Sequence, residues 1–552
     1  MRDSGGVFSP RAQTGRGARS FPRRRDAAAR ALAVALVRGA AARAFAVALV
    51  ACALAAGAAQ QASDSAAAVR AAQAAPVSVP VELAFTYTGA GEPVPRRFLG
   101  LSFEAAALSQ LGAYGRHGDL VSLLRSLGPG VLRFGGITSD ENVGWTDSAT
   151  PPPAWATSTI DPGDLRAIAT LARRSGWQVL LTVGLAHYEP QAAAREVAAA
   201  HAALGPYLAA VEIGNEPEAY ANHGYRPAPW LPQEYEEQVS DYREAIEALT
   251  PGVRFAGPDV SGSGAFNEWG NAEALSQSPA LLTGHHYPLG CAQTPSPSIE
   301  LLLSPVTRSR EARSLETYMA IARQDSIPLR IDEAGTVSCG GVAGISNTFA
   351  ASLWAAGYIG QTMDAGAAGI NLQGNPTNCA GYTPLCATTP AAAASGSLSA
   401  EPEWYGLLLT SSLIGYRPLP TTIESSASPN LEASVYWSPG HGLKLLLVDD
   451  EPPGSAQLSF SVPVGPGLGP ASFLWMTGAA QSSTSSVRLA GRTVPADGAW
   501  RQPSRLPRRA PVAGTLTFAL SPSSAVLVTV PRTVRRARHA SSGRGRVRRQ
   551  PG

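Results

Sequence analysis

The chain reads as an α/β protein, a (β/α)8 TIM barrel followed by a C-terminal all-β sandwich domain, and three observations carry that reading. Between 97 and 374, eight strand-like apolar runs alternate with helical patterns. Such alternation predicts a parallel sheet with helices packed outside it, and eight repeats close it into a barrel. From about 401 the helical periodicity gives way to short alternating runs broken by Pro and Gly, such as ASVYWSP, LKLLLVDD and AQLSFSVPV, which is the pattern of an all-β module. The competing arrangement, an open doubly wound sheet, lacks its signature, because no Gly-rich dinucleotide fingerprint follows the first strand.

Taken in order, residues 1–58 read as a basic leader and signal peptide. Residues 1–43 hold ten arginines against Asp3 and Asp26, and the apolar run AFAVALVACALAAGAA (44–59) follows, with a small-x-small site at Ala56-Gly57-Ala58. Export to a secreted or cell-surface location is the expectation. An uncleaved N-terminal anchor is the alternative, although the run is short for a membrane span. LVAC (49–52) resembles a lipoprotein processing box, but apolar residues follow Cys52. Residues 59–76 are an Ala-rich linker.

The barrel is assigned to 77–400, with the first strand-like stretch, VSVPVELAFTY, able to join the β domain instead. The eight barrel strands are drawn at 97–104, 130–136, 178–185, 207–216, 253–259, 281–288, 329–335 and 368–374. Helical patterns such as DLRAIATLARR and EYEEQVSDYREAIEAL separate most of them. The β-sandwich is assigned to 401–531. Residues 532–552 hold eight arginines and no acid, a composition that predicts a solvated disordered tail.

The formal charge of +3 hides an acidic body, since residues 44–531 carry 26 Lys and Arg against 39 Asp and Glu, a net of −13. A field of that sign repels phosphate chains, so no nucleic-acid partner is expected. No stable membrane partner is expected either, apart from N-terminal anchoring. Of five cysteines, Cys52 lies in the leader and four remain, an even number that favours disulfides in an exported chain. Cys291 and Cys339 follow strands six and seven at one rim, and Cys379 and Cys386 bound a short loop, so these are the expected pairs. No pair has zinc-ligand spacing, and neither a metal nor a cofactor is expected.

Chemistry concentrates at strand ends. VEIGNEP places Asn215 and Glu216 at the end of strand four, and RIDEAG places Glu333 at the end of strand seven. Both belong to the C-terminal rim, where barrel enzymes keep their reacting groups, and strands four and seven face one another across the mouth. Two carboxylates there are the minimum for glycoside cleavage, one protonating the leaving oxygen and one attacking the anomeric carbon. Asn215 can hold a sugar 2-hydroxyl, and Tyr287, closing strand six, can hydrogen-bond the nucleophile. Glu212 points inward and is read as a structural partner of Arg133. His285 and His286, a pair without acidic partners in the sequence, are read as supporting residues.

EIGNEP, LRFGG (132–136), HHY (285–287), FLGLSFEA (98–105) and SNTFAASLW occur in the order in which heparanase-like enzymes carry them. Residues 95–415 thus resemble glycoside hydrolase family 79, in the clan of retaining barrel hydrolases. The resemblance implies Glu216 as acid/base, Glu333 as nucleophile and Glu104 as an acceptor for a sugar hydroxyl. It also implies that Gly340 and Gly341 offer backbone N–H groups to a uronic-acid carboxylate, with Tyr382 helping. The expected activity is an exo-β-glucuronidase acting on a glucuronic-acid-containing glycan or a small glucuronide. An endo-acting heparanase-like hydrolase is one alternative, weakened by an acidic body that would repel a sulfated polyanion. A non-catalytic carbohydrate-binding surface protein on the same fold is the other.

Overall fold

A computed structural model describes residues 78–533, so the leader, the linker and the tail from 534 onward lie outside the described residues. Eight parallel strands form the barrel: Leu99–Glu104, Val131–Gly135, Gln178–Val183, Leu208–Ile213, Ala256–Val260, Leu281–His286, Leu329–Ala334 and Gly369–Gly374. Each pairs with its neighbours in sequence, and the last pairs with the first. Strands four and five meet through a bridge between Val211 and Phe255, which completes the ring. Strands four and six stop short of their drawn ends because Gly214, Asn215, Glu216 and Tyr287 have already left the ladder as rim loops.

The outer helices begin where the sequence offers a proline or a cap. Pro162, Pro190, Pro232 and Pro305 each occupy the first helical position, where a missing N–H costs nothing and the fixed φ suits the helix. Asp161 also accepts from the N–H groups of Gly163 and Asp164, and Asp164 returns a bond to the Asp161 backbone, a complete capping box. Among the described residues no helix is long and apolar enough to cross a membrane.

Helix Pro402–Ser411 lies where the texture reading placed the start of the β domain. Residues 402–410 are all buried, which removes the polar face that would have given the segment a helical period. The helix packs against Phe349–Ala365, and Gly406 permits the approach, since a Cβ there would lie 2.8 Å from that of Ala355.

The β region is a two-sheet sandwich. Its four-stranded sheet places Ser78–Phe85 between Thr421–Glu424 and Gln457–Pro463, with Thr515–Leu520 beyond. The larger sheet is built around Leu431–Ser438, Gly442–Asp449, Ser524–Pro531 and Ala471–Thr477. Val81, Leu83, Leu445, Phe460, Phe518 and Val528 fill the space between the sheets. The outer face of the larger sheet packs on the barrel, with Leu446 against Gly360 and Arg308 paired to Asp450 at 2.9 Å. Disulfides join Cys291 to Cys339 and Cys379 to Cys386, the two expected pairings.

Glu196, inside helix Pro190–Leu204, is buried, and it lines a cavity of about 30 Å³ between Trp145 and Trp155. Burial raises its pKa to about 8. The folded value lies above the unfolded value of about 4.3, so the folded state holds the proton more tightly. That advantage is complete below the unfolded pKa and is lost as pH rises toward 8. Glu196→Gln keeps the shape without the charge. Its unfolding free energy should exceed that of the parent by on the order of 3 kcal/mol at pH 8, with little difference at pH 4.5. Urea unfolding at the two pH values measures this, and equal effects at both would refute it.

Candidate active site

Barrel interiors are normally filled by layers of branched apolar side chains. Here the upper layer is ionic. Arg133, on strand two, is fully buried and donates to Glu212 Oε2 at 3.0 Å, Glu333 Oε2 at 2.6 Å and Asp259 Oδ2 at 2.6 Å. It also donates to Ser102 Oγ at 3.0 Å and to Asn215 Oδ1 at 2.9 Å. Asp332 Oδ2 lies 2.9 Å from Nε but out of line for a hydrogen bond, and burial together with the neighbouring Asp259 charge holds its carboxyl well above its ordinary value. The guanidinium fork therefore ties together side chains from strands one, four, five and seven.

Two register shifts bring the acids inward. One falls between Pro258 and Val260, and the other between Ile331 and Glu333. An extra residue in a strand breaks the in-out alternation. This is how Asp332 and Glu333, although adjacent, both reach Arg133.

Glu333 accepts from Arg133 on one oxygen and from Tyr287 Oη at 2.7 Å on the other. Burial works to raise its pKa, but the positive charges of His285 and Arg133 and these hydrogen bonds outweigh it and hold the carboxyl below its ordinary value. Glu333 is thus an oriented carboxylate. Glu216 sits at the turn after strand four with φ +47, a left-handed conformation uncommon for a side chain of this kind. Its N–H donates to Asp259 O at 2.9 Å, which secures the turn. Its side chain is 28% exposed and faces the cavity.

His285 joins the two glutamates. Nδ1 stands 2.9 Å from Glu216 Oε1 and 4.0 Å from Glu333 Oε1, while Nε2 stands 2.7 Å from Asp259 Oδ1. These contacts bound the separation of the two glutamate oxygens at about 7 Å, a range that includes the roughly 5–5.5 Å of retaining glycosidases. Burial lowers the histidine's pKa, yet Glu333 and Asp259 overcome this and leave it well above its ordinary value. His285 is therefore a cation donating from both nitrogens. The expectation that the two histidines lack acidic partners is corrected here: the acids come from strands four, five and seven, remote in sequence, and His286 Nε2 meets Glu311 at 3.3 Å. Asp259, His285 and Asp332 also bring three ligand-type atoms within 4.8 Å of one another. Both ring nitrogens of His285 are already taken up by the Glu216 and Asp259 carboxylates.

The remaining predicted residues line the same cavity, of about 750 Å³, with one exception. Asn215 has its carbonyl oxygen fixed by Arg133, which turns its NH2 group outward as a donor. Glu104, at the end of strand one, accepts from Thr138 N at 3.0 Å and Thr138 Oγ1 at 2.7 Å, with Gln373 Nε2 at 3.4 Å. A Cβ on Gly136 would lie 2.5 Å from the Glu104 carboxylate, so the second glycine of LRFGG makes room for it. Gly340 N–H donates to Tyr382 Oη at 3.1 Å. Gly341 is the exception. It is absent from the cavity wall, and its N–H points to Ser338 O at 3.4 Å because three successive left-handed residues, Cys339, Gly340 and Gly341, curl the loop on itself. A Cβ on Gly341 would lie 2.4 Å from Tyr382 N, so its part is to let the two loops touch.

One organiser escaped the sequence reading. Asp140 is buried and accepts from Asn215 N at 2.9 Å, Tyr220 Oη at 2.6 Å, Leu185 N at 2.7 Å and Ala186 N at 2.9 Å. It binds the loops after strands two, three and four into one wall. No spacing in ITSDEN announces this role. Asp259 had a visible signal, an acid at a strand end.

No protein-family model and no curated protein sequence matches the chain. Solved structures do. A 4-O-α-L-rhamnosyl-β-D-glucuronidase from Fusarium oxysporum 12S superposes with TM-score 0.64 at 20% identity, over 82% of this chain and 99% of that one. A GH51 arabinofuranosidase from Xanthomonas axonopodis pv. citri gives 0.61 at 14%, over 82% and 100%. The family 51 α-L-arabinofuranosidase AbfB from Bifidobacterium longum gives 0.59 at 15%, over 83% and 100%. The chain shares the barrel-and-β-domain fold of these glycoside hydrolases.

Arg133 is the only cation within hydrogen-bonding reach of Glu212 among the described residues, and removing one partner of a buried ion pair strands the other. Arg133→Met should lower the unfolding free energy by about 3–5 kcal/mol at pH 7. Arg133→Lys should recover only part of it, because an ammonium cannot copy the planar fork. Guanidinium unfolding of both variants tests this, and a loss below about 1 kcal/mol for Met would contradict it.

Proposed function

We propose that the chain is an exported, retaining exo-β-glucuronidase in which Glu333 is the nucleophile and Glu216 the acid/base. The observation that carries this reading is the unequal setting of the two carboxyls around His285. Glu333 is buried, gripped on both oxygens and held ionised. Glu216 is partly exposed and held on a single oxygen, leaving Oε2 free to carry a proton toward the cavity.

In the first step Glu333 attacks the anomeric carbon, and Glu216 gives its proton to the departing glycosidic oxygen. In the second, Glu216 takes a proton from water, which displaces Glu333 from the sugar. Asn215 and Glu104 hold ring hydroxyls. Tyr382 accepts from Gly340 and so keeps its own O–H free to donate. Burial and the nearby Glu333 charge keep that hydroxyl protonated. A uronate carboxylate is the group such a donor suits. The Fusarium neighbour, a 4-O-α-L-rhamnosyl-β-D-glucuronidase, supports this choice. Two disulfides support an oxidising, secreted or cell-surface location.

Glu216→Ala and Glu333→Ala should each fold and each lose at least about 10²–10⁴-fold in kcat on an aryl β-glucuronide. The parent enzyme should release the β-anomer first. Proton NMR of the initial product decides this, and an α-anomer at first turnover would overturn the retaining assignment.

Sugar choice is tested separately. A site with polar partners for one group rejects the analogue lacking it, so kcat/KM for the aryl β-glucuronide should exceed that for the β-glucoside at least about a hundredfold. Tyr382→Phe should narrow that ratio. Equal rates on both sugars in the parent would move the substrate to a neutral β-glycoside and leave the two-glutamate mechanism intact.

A further inference from the structure

At the far end of the barrel, where the strands begin, lies a second cavity of about 140 Å³. Arg97, Arg254 and Arg330 line it with Gln178 and short apolar side chains, and its wall contains no carboxylate. Three guanidiniums gathered without an acid are unusual on a body of net −13. A cleft lined by one sign of charge, with low-dielectric walls, concentrates ions of the other sign.

The arrangement is built rather than incidental. Arg330, on strand seven, is buried and held by neutral acceptors: Asn371 Oδ1 at 2.6 Å, Phe98 O at 3.3 Å, and Arg97 O. Gly369, its neighbour on strand eight, leaves the space, since a Cβ there would lie 2.2 Å from Nη2. These bonds fix the guanidinium without neutralising it, and burial lowers its pKa only to about 10, so it stays charged at neutral pH. Above it an apolar layer of Val131, Leu180, Ala210 and Ala256 stands apart as its own cluster. The acids beyond that layer, Glu212 and Asp332, are engaged by Arg133. Arg97 supplies the second observation: its Nε is buried and has no partner among the described residues. Arg254 is exposed and stands where the cavity opens.

We infer that this cavity binds a small tetrahedral oxyanion of the phosphate or sulfate class, held by Arg330 from within, Arg97 from the side and Arg254 at the mouth. Planar forks on three sides match an anion with several oxygens. The site is remote from the rim carboxylates, and its occupancy pins the first residues of strands one, five and seven to one another.

Titration calorimetry and thermal unfolding with inorganic phosphate, at ionic strength fixed with chloride, test the inference. The expected result is saturable one-to-one binding in the millimolar range or tighter, with a rise in Tm that levels off at the same concentrations. Arg97→Met/Arg254→Ala should weaken binding at least tenfold. So should Arg254→Glu alone, whose side chain makes no hydrogen bond or ion pair among the described residues and whose loss leaves the fold intact. A non-saturating rise in Tm, equal in parent and variants, would be the general stabilisation that an excluded kosmotropic anion gives any compact state and would overturn the inference. Unchanged phosphate affinity in Arg254→Glu would place the anion elsewhere and overturn it as well. Free glucuronate at the same concentrations should bind at least tenfold more weakly than phosphate, and equal affinity would contradict the tetrahedral assignment.

Discussion

The upper half of this barrel is organised by one buried charge. Arg133 replaces what would ordinarily be a methyl-bearing layer, and each carboxylate it touches is tolerable in the interior only because it is touched. Glu333 keeps its ionised form through Arg133 and His285, and His285 keeps its proton through Glu333 and Asp259. The charges are thus mutually conditional. A site of this kind is assembled as a unit or not at all, and much of its orientation is fixed before any sugar arrives, which is the condition under which electrostatic stabilisation is most effective.

Backbone irregularity does the aiming. Glu216 and Asp259 both occupy left-handed conformations, and the N–H of the first bonds the carbonyl of the second. Such conformations persist only where neighbours over-determine them. Here the neighbours are Arg133 and His285 on Asp259 and the Asp140 clamp beneath Asn215. The strain lies on the two elements whose side chains must turn away from regular strand geometry to face the cavity.

How much of this was legible in the sequence differs by type of feature. The eight strands were readable because a strand buried on both faces is a continuous apolar run, and because segments of helical periodicity separate most of them. Glu216 and Glu333 were readable because a carboxylate at the end of an apolar run has no packing reason to be there. Glu212 was assigned to Arg133 from strand parity alone, and they do pair. The acids around His285 were not readable, since they come from strands brought together only by closure of the ring, and bulges shift the parity by which Asp332 would have been placed. The helix at 402–411 was missed because burial on every side erases amphipathic periodicity. The turn of Gly341 away from the cavity depends on three consecutive left-handed residues, a property of φ that composition does not reveal.

The strand Ser78–Phe85 lies inside the four-stranded sheet, parallel to Gln457–Pro463 and antiparallel to Thr421–Glu424. On the ribosome this strand emerges before the barrel, and its partners emerge after it. The sandwich therefore cannot close until the barrel sequence has been synthesised, and the waiting strand is an open edge in the meantime, the kind of surface that invites aggregation in slow-folding chains. Loop-closure entropy grows only slowly with the length of the intervening chain, but a prefolded barrel shortens the effective loop by holding its two ends in place. The order of synthesis thus makes the barrel a scaffold for the completion of its neighbour, and a cut between the two regions would separate partners that lie far apart in sequence but side by side in one sheet.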